Sequence, residues 1–159
     1  MKEWKVTITT ECIELLMSKN QVGGREDCGL LFASQISDDC LRINSVSSSC
    51  VVQTSASKCS CKLDTEKANA VVVEEFEKSN HTRFYIGEWH THPEDNPTPS
   101  IQDINSIKKS YQRNELVIPN LLFMAIVGMK SICWKTYNGS KICNVVLDHE
   151  NGKTELASD

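Results

Sequence analysis

The stretch that decides the fold of this 159-residue chain is residues 87–103, which read GEWHTHPEDNPTPSIQD. It places two histidines, a serine and an aspartate at spacings that suit a single metal ion. If the residues up to His92 form a strand, side chains alternate between its faces, so His90 and His92 point the same way. The two imidazole rings are therefore expected to converge on one point.

The second half of this stretch predicts a loop followed by a helix. Its prolines cannot continue a sheet ladder, and Ser100 is followed by apolar residues at helical spacing, namely Ile101, Ile104 and Ile107. Asp103 then lies in the first helical turn. Two imidazole nitrogens and one carboxylate oxygen form a three-ligand set with a fourth tetrahedral position for water, which is typical of a catalytic rather than a structural zinc site.

Each part of this pattern also has a simpler interpretation. Ser100 and Asp103 have nearly the spacing of a capping box, in which the serine caps the helix and the acidic residue returns the bond. A His-x-His pair on a strand is often two surface or half-buried histidines. Capping and metal binding are compatible, because an aspartate at a helix start can still present an oxygen to a metal.

The combined pattern is far more specific than its parts. His90-x-His92, seven intervening residues, Ser100, two more residues and Asp103 resemble, without a gap, the JAMM signature of the MPN+ (JAB) metallopeptidases. The resemblance covers roughly residues 1–150, although only the stretch quoted above and one upstream segment are specific to the family.

That upstream segment contains Glu26, two residues before Cys28 and Gly29, followed by the apolar residues Leu30, Leu31 and Phe32. In the family, a catalytic glutamate precedes a Gly-apolar-apolar strand, and Glu26 matches its position. Without the downstream signature, the same residues are typical of a solvated acidic turn.

The resemblance implies one zinc ion per chain, held by His90, His92 and Asp103. It implies that Glu26 carries a proton from the attacking water to the leaving amine, and that Ser100 donates to the oxyanion of the tetrahedral intermediate. The bond cleaved would be an amide or isopeptide bond.

Residues 87–100 are most similar to the small bacterial JAMM proteins encoded with cyclic-oligonucleotide antiphage (CBASS) operons. That similarity implies removal of a ubiquitin-like conjugate, the operon's nucleotidyltransferase, from target proteins, so the expected partner is a protein conjugate with an extended C-terminal tail. Two alternatives stay open: a JAMM hydrolase that releases a small amine or amino acid from a carrier protein C-terminus, and a non-catalytic MPN scaffold, a class that typically lacks the ligand set. A zinc deaminase would require a His/Cys-x-x-Cys set that the chain lacks.

Strands interleaved with three helices, then a run of hairpin-joined strands, predict an α/β fold: a three-layer mixed β-sheet flanked by helices. The resemblance agrees, since it implies the JAMM/MPN, cytidine-deaminase-like fold. We expect one domain spanning residues 1–159. Helices are predicted after Thr10, Asp64 and Ser100, and strands at residues 4–9, 28–32, 41–46, 58–63, 84–92, 121–127, 131–137 and 142–147, with a weak strand or tail from residue 150.

Charge and hydropathy exclude two classes of partner. Seventeen basic and twenty-one acidic residues give a net charge of −4 without a basic stripe, which argues against nucleic acid. The longest apolar run, residues 121–127, is too short to span a bilayer, and no apolar segment typical of a signal peptide follows the first residues. We therefore expect a cytoplasmic protein that does not bind membranes.

The chain contains eight cysteines, which in a cytoplasmic protein are expected to be reduced thiols, mostly buried as small hydrophobes. A second metal site is the alternative, and it would use Cys50, Cys59, Cys61 and His81. No Cys-x-x-Cys pair occurs, and Cys59-x-Cys61 is a poor chelate spacing.

Glu88 departs from the eukaryotic family pattern, in which this position is usually apolar. By strand parity it points to the same face as His90 and His92. It could orient a ligand imidazole or contact substrate, which we favour, or be a rival general base, or be solvated beyond the site. Three further acidic residues are interpreted as surface charges: Asp27, Glu94 and Asp95.

Overall fold

The computed structural model describes residues 2–21, 24–49 and 62–150. It contains the three predicted helices. In chain order the elements are β1 (Lys5–Thr9), α1 (Thr10–Ser18), β2 (Cys28–Ser37), β3 (Cys40–Val46), α2 (Thr65–Lys78), β4 (Phe84–Thr91), α3 (Ile101–Arg113), β5 (Leu122–Val127), β6 (Ile132–Tyr137), β7 (Ile142–Asn144) and β8 (Asp148–Glu150).

The eight strands form one mixed sheet in the order β7-β6-β5-β4-β2-β3-β1-β8. β1 is parallel to β3 and to β8, and β4 is parallel to β5, whereas the remaining neighbours are antiparallel. The prediction of a mixed sheet is therefore confirmed.

Alternating residues of β5 divide the core between the two faces of the sheet. Phe123, Ala125 and Val127 pack on the side of α1, with Leu16 of that helix. Leu122, Met124 and Ile126 pack on the side of α3, with Ile107 and Tyr137. Because β5 is buried on both faces, its sequence LFMAIV is apolar throughout rather than alternating. The sheet therefore lies between α1 on one face and α3 on the other, which is the predicted three-layer arrangement.

Helix α2 is only loosely packed. Asp64 caps it as predicted, accepting a hydrogen bond from the Lys67 amide at 3.1 Å, but none of its residues is buried. Its apolar residues, including Val72 and Phe76, face a groove instead of closing onto the sheet. Within the described ranges, no helix has the length and apolarity that crossing a membrane requires.

Several predicted bounds differ from the structure. The cap of α1 is Thr9, not Thr10, and the predicted strand 58–63 lies outside the described residues except for its last two. The predicted strand 142–147 ends at Asn144, because Val145 and Leu147 leave the sheet edge to pack against the α1-side core. The following residues form β8 beside β1, at the opposite edge.

The parallel pairing of β4 and β5 positions the candidate site. A chain that leaves one strand and enters a parallel neighbour must cross back over the sheet. Here α3 makes that crossing, and its N-terminus therefore lies near the carboxyl end of β4. The histidine end of the strand and the aspartate end of the helix are brought together by this connection.

Gly87→Ala is expected to destabilise this arrangement. A Cβ at Gly87 would lie 2.1 Å from the carbonyl oxygen of Phe123 on β5, so the two strands must separate. We expect a loss of about 3 kcal/mol in the free energy of unfolding, at the upper end of overpacking costs, measured by urea denaturation.

Ser37→Ala, at an exposed position of β2, is the control and should change stability by less than about 0.5 kcal/mol. Equal stability of Gly87→Ala and this control would show that the spacing of β4 and β5 is not constrained at this point.

Candidate metal centre

Strand β4 delivers two histidines to the same side of the sheet. His90 lies within the strand, and His92 follows its last residue and is kept in register by a 2.9 Å hydrogen bond from its amide to the Val127 carbonyl. The two ring centroids are 5.0 Å apart. The predicted convergence of the imidazoles is therefore observed.

Asp103 meets both rings from the start of α3. Its Oδ1 is 3.0 Å from His90 Nε2, and its Oδ2 is 3.2 Å from His92 Nε2. The same carboxylate closes a capping box: Oδ2 accepts the Ser100 amide at 2.7 Å, and the Ser100 hydroxyl accepts the Asp103 amide at 3.1 Å. Capping and convergence on the histidines thus coexist in one side chain.

The loop between the histidines and the helix is held by the turn after β5. The amides of Met129 and Lys130 donate to the carbonyls of Glu94 and Asp95 at 2.8 and 2.9 Å. Pro97 is buried against Gly128, where a Cβ would come within 2.3 Å of the proline ring. This docking determines how the chain returns from His92 to Ser100.

Glu26 approaches from the loop that precedes β2. Its side chain is buried, and Glu26, His90 and His92 offer ligand atoms that all lie within 4.8 Å of one another. The alternative interpretation, a solvated acidic turn, therefore does not describe this residue. The structure brings Glu26 to the two histidines that Asp103 also contacts.

The charges of the site are strongly coupled. Burial acts to raise the pKa of Asp103, but its contacts with His90 and His92 outweigh burial and hold the pKa well below its ordinary value. The hydrogen bond with Asp103 raises the pKa of His92 to about 9. The Asp103 carboxylate is therefore ionised, and it favours the protonated, positively charged form of the His92 imidazole.

Two observations fit a bound cation. His90 Nε2 is buried, and although it forms an ion-pair contact with Asp103 Oδ1 at 3.0 Å, the two atoms are not aligned as a hydrogen bond. A buried nitrogen in this state is costly unless another partner satisfies it. The available donors, two imidazole nitrogens and carboxylate oxygens, are those that zinc accepts, and a metal would replace the protons that the histidines otherwise hold.

Burial raises the pKa of Glu26, and the opposing attraction of His90 and His92 does not cancel this effect. A carboxylate with a raised pKa exchanges protons more readily near neutral pH. Ser100, in contrast, is exposed. Its oxygen accepts the Asp103 amide, which leaves the hydroxyl proton free to donate.

Glu94 and Asp27 do more than the surface-charge interpretation implied. Glu94 is exposed, but its carboxylate lies 3.0 Å from His92 Nδ1, a contact that directs Nε2 of the same ring toward the site. Asp27 accepts hydrogen bonds from the Cys28 amide at 2.9 Å and from the Ser49 hydroxyl at 2.5 Å. The short spacing of Glu94 from His92 was the available sequence signal.

Glu88 points to the face of His90, as parity predicted. Its carboxylate accepts the Tyr85 hydroxyl at 2.7 Å. Burial raises its pKa, while Ser110, Tyr85, His90 and Arg113 act in the opposite direction. A solvated position beyond the site therefore does not describe Glu88. It is also not part of the group whose ligand atoms converge, which consists of Glu26, His90 and His92.

Three of the residues named for the alternative second metal site, Cys50, Cys59 and Cys61, lie outside the described residues. His81 stacks on Phe76 with ring centroids 4.6 Å apart, and it contacts Glu77 at 3.3 Å. The described cysteines are free thiols: Cys12, Cys28, Cys40, Cys133 and Cys143.

A groove of about 880 Å³ runs from the site between α2 and α3. Glu26, His90 and Asp103 line one part of it. Apolar residues line the rest, and three of them are substantially exposed: Val73, Phe76 and Val117. An extended apolar surface is therefore continuous with the converging polar residues.

Comparison with known proteins identifies relatives over part of the chain. A Vibrio cholerae serotype O1 protein named CD-NTase/cGAS isopeptidase is 42% identical over 72 residues, which is 44% of this chain and 43% of that protein. An Escherichia coli protein of the same name is 45% identical over 69 residues, 43% of this chain and 38% of that protein. The matches thus span less than half the length of either relative.

The fold and the family are matched over longer stretches. A solution structure from Desulfitobacterium hafniense superposes with a TM-score of 0.59 and 17% identity over 92% of this chain and 93% of that one, which shows a shared fold. The family model described as prokaryotic homologs of the JAB domain matches residues 13–137. The sequence resemblance to the JAB family is thereby confirmed, and the chain belongs to the prokaryotic homologs of the JAB domain.

Proposed function

We propose that this chain is a zinc-dependent isopeptidase that releases a CD-NTase from proteins to which it is conjugated, in bacterial antiphage defence. The observation that carries the proposal is the contact of one Asp103 carboxylate with the Nε2 atoms of His90 and His92 at 3.0 and 3.2 Å, with Glu26 beside the histidines. Membership of the JAB family and the names of the two relatives support a hydrolase of this class.

His90, His92 and Asp103 would hold the zinc ion, one per chain. The chemistry that zinc supplies in such a site is Lewis-acid activation of water and of a carbonyl group. Glu94 supports the assignment, since its contact with His92 Nδ1 leaves Nε2 as the nitrogen available to the metal.

Glu26 would be the general base and then the general acid. Its carboxylate accepts the proton of the attacking water and returns it to the leaving amine, so one group serves both halves of the reaction. The buried position and raised pKa of Glu26 support this role. The exposed Ser100 hydroxyl would donate to the oxyanion as the carbonyl becomes tetrahedral.

The groove between α2 and α3 would bind an extended C-terminal tail of the conjugated protein. Asn114, Glu115 and Val117 line it, so the segment that follows α3 would help to shape the substrate surface. A groove of this size fits a protein tail, which either a conjugated protein or a carrier protein would supply.

The first prediction is one zinc ion per purified chain, lost on His90→Ala, His92→Ala or Asp103→Asn, because three ligands leave little margin. Metal analysis of the purified proteins measures it. Asparagine at 103 can still accept the Ser100 amide, so this variant separates zinc binding from capping.

His81→Ala and Asp64→Ala are matched controls, a histidine distant from the site and a helix cap, and both should retain zinc. Chelation should stop cleavage of a conjugate, whereas cysteine alkylation should not. Full zinc occupancy in all three site variants would refute the ligand assignment.

Glu26→Gln should retain zinc and lose hydrolysis of an isopeptide-linked conjugate by about 10²–10⁴-fold, because the amide cannot carry the proton. Steady-state kinetics with metal analysis of the same sample provides the measurement. Glu88→Gln is the comparison: an inactive Glu88→Gln beside an active Glu26→Gln would reverse the assignment of the base.

Val117→Asp should lower kcat/KM for a protein conjugate by about tenfold or more while leaving a short peptide amide nearly unaffected, since the exposed aspartate would have to lose its water when the apolar tail covers it. Val146→Asp is the control, because Val146 is 87% exposed and does not line the groove. Equal losses in the two variants would show that the groove does not bind the substrate.

A further inference from the structure

Thr91 lies between the two histidines in sequence, but its side chain points away from them. It is the last residue of β4, and it is fully buried, with 0% of its surface exposed. A buried hydroxyl requires hydrogen-bond partners. Its partners connect the histidine strand to the loop that carries Glu26.

Two hydrogen bonds join Thr91 to Asp27. The Thr91 amide donates to the Asp27 carbonyl at 2.9 Å, which extends the antiparallel ladder by one pair beyond Cys28 and His90. The Asp27 amide donates not to a backbone carbonyl but to the Thr91 hydroxyl at 2.8 Å. A side chain thus replaces the backbone acceptor at the point where the ladder ends.

The position of this second bond matters because of the peptide unit to which the donor belongs. The Asp27 N–H is in the same planar peptide unit as the Glu26 carbonyl. Holding that N–H therefore fixes the peptide plane that follows the Glu26 Cα. The direction of the Glu26 side chain depends on this plane.

The same hydroxyl reaches the other side of the loop. Thr91 Oγ1 donates to Gln21 Oε1 at 3.4 Å, and the Gln21 amide group donates to the Gly24 carbonyl at 3.1 Å. Gln21 is itself buried. The loop is consequently held two residues before Glu26 and one residue after it, with Thr91 common to both connections.

We infer that Thr91 is a positioning residue that holds Glu26 against His90 and His92 through the Asp27 amide. This inference rests on the proposed role of Glu26 as the base. Thr91 does not line the groove, and its hydroxyl bonds to the Asp27 amide and to Gln21, so we expect its effect on hydrolysis to pass through Glu26.

The test compares Thr91→Val, which keeps the shape and removes the hydroxyl, with Thr91→Ser, which keeps the hydroxyl. Thr91→Val should lower kcat on the isopeptide-linked conjugate at least tenfold, with KM within twofold and one zinc per chain. Thr91→Ser should stay within threefold of wild type. Thr7→Val is the matched control, a buried threonine on β1 distant from the site, and should retain full kcat.

A double-variant cycle separates positioning from general damage to the fold. If Thr91 acts through Glu26, Thr91→Val should change the residual rate of Glu26→Gln by less than twofold. A further tenfold loss in that background, or full kcat in Thr91→Val alone, would overturn the inference.

Amide hydrogen exchange provides a readout that does not depend on activity. The Asp27 amide should be protected in wild type and in Thr91→Ser, and it should exchange at least tenfold faster in Thr91→Val. The His92 amide, which donates to the Val127 carbonyl, is the control, and its exchange rate should be the same in all three proteins. Equal protection of Asp27 in all three proteins would overturn the inference. Wild-type protein that shows this protection but cleaves no conjugate would instead contradict the proposed function.

Discussion

The geometry of the candidate metal centre depends on the contact between the Asp103 carboxylate and the Nε2 atoms of His90 and His92. The same carboxylate accepts the Ser100 amide and so defines where α3 begins. A negative charge is favourable at a helix N-terminus, so α3 tolerates the ionised carboxylate of Asp103 in its first turn. The parallel pairing of β4 and β5, and the docking of the intervening loop on the turn after β5, serve to make this contact.

The electrostatics of the site follow from burying these groups together. The ionised Asp103 raises the pKa of His92 to about 9, and His90 Nε2 is left without a hydrogen bond among the described residues. A cation between them would satisfy the nitrogen and compensate the carboxylate, in competition with protons. Burial has a different consequence for Glu26, where it favours the protonated form.

The loose packing of α2 complements this rigid centre. The helix buries none of its residues and leaves apolar side chains on the wall of a groove that reaches the site. Exposed apolar surface of this extent commonly marks a binding region. The structure therefore combines a tightly constrained set of polar groups with an open apolar groove. In the proposed function, the groove binds the tail and the polar groups act on the bond to be cleaved.

The sequence by itself determined the three helices, most strands, and the candidate residues His90, His92, Ser100 and Asp103, because strand parity and capping depend on residues close together in the chain. It matched Glu26 only through a family resemblance. The tertiary structure alone decided that Glu26 is buried beside the histidines, that Thr91 bonds to Asp27 64 positions away, that residues after β7 cross to pair with β1, and that α2 stays open. Those features depend on contacts between distant segments, and no local pattern of residues specifies them.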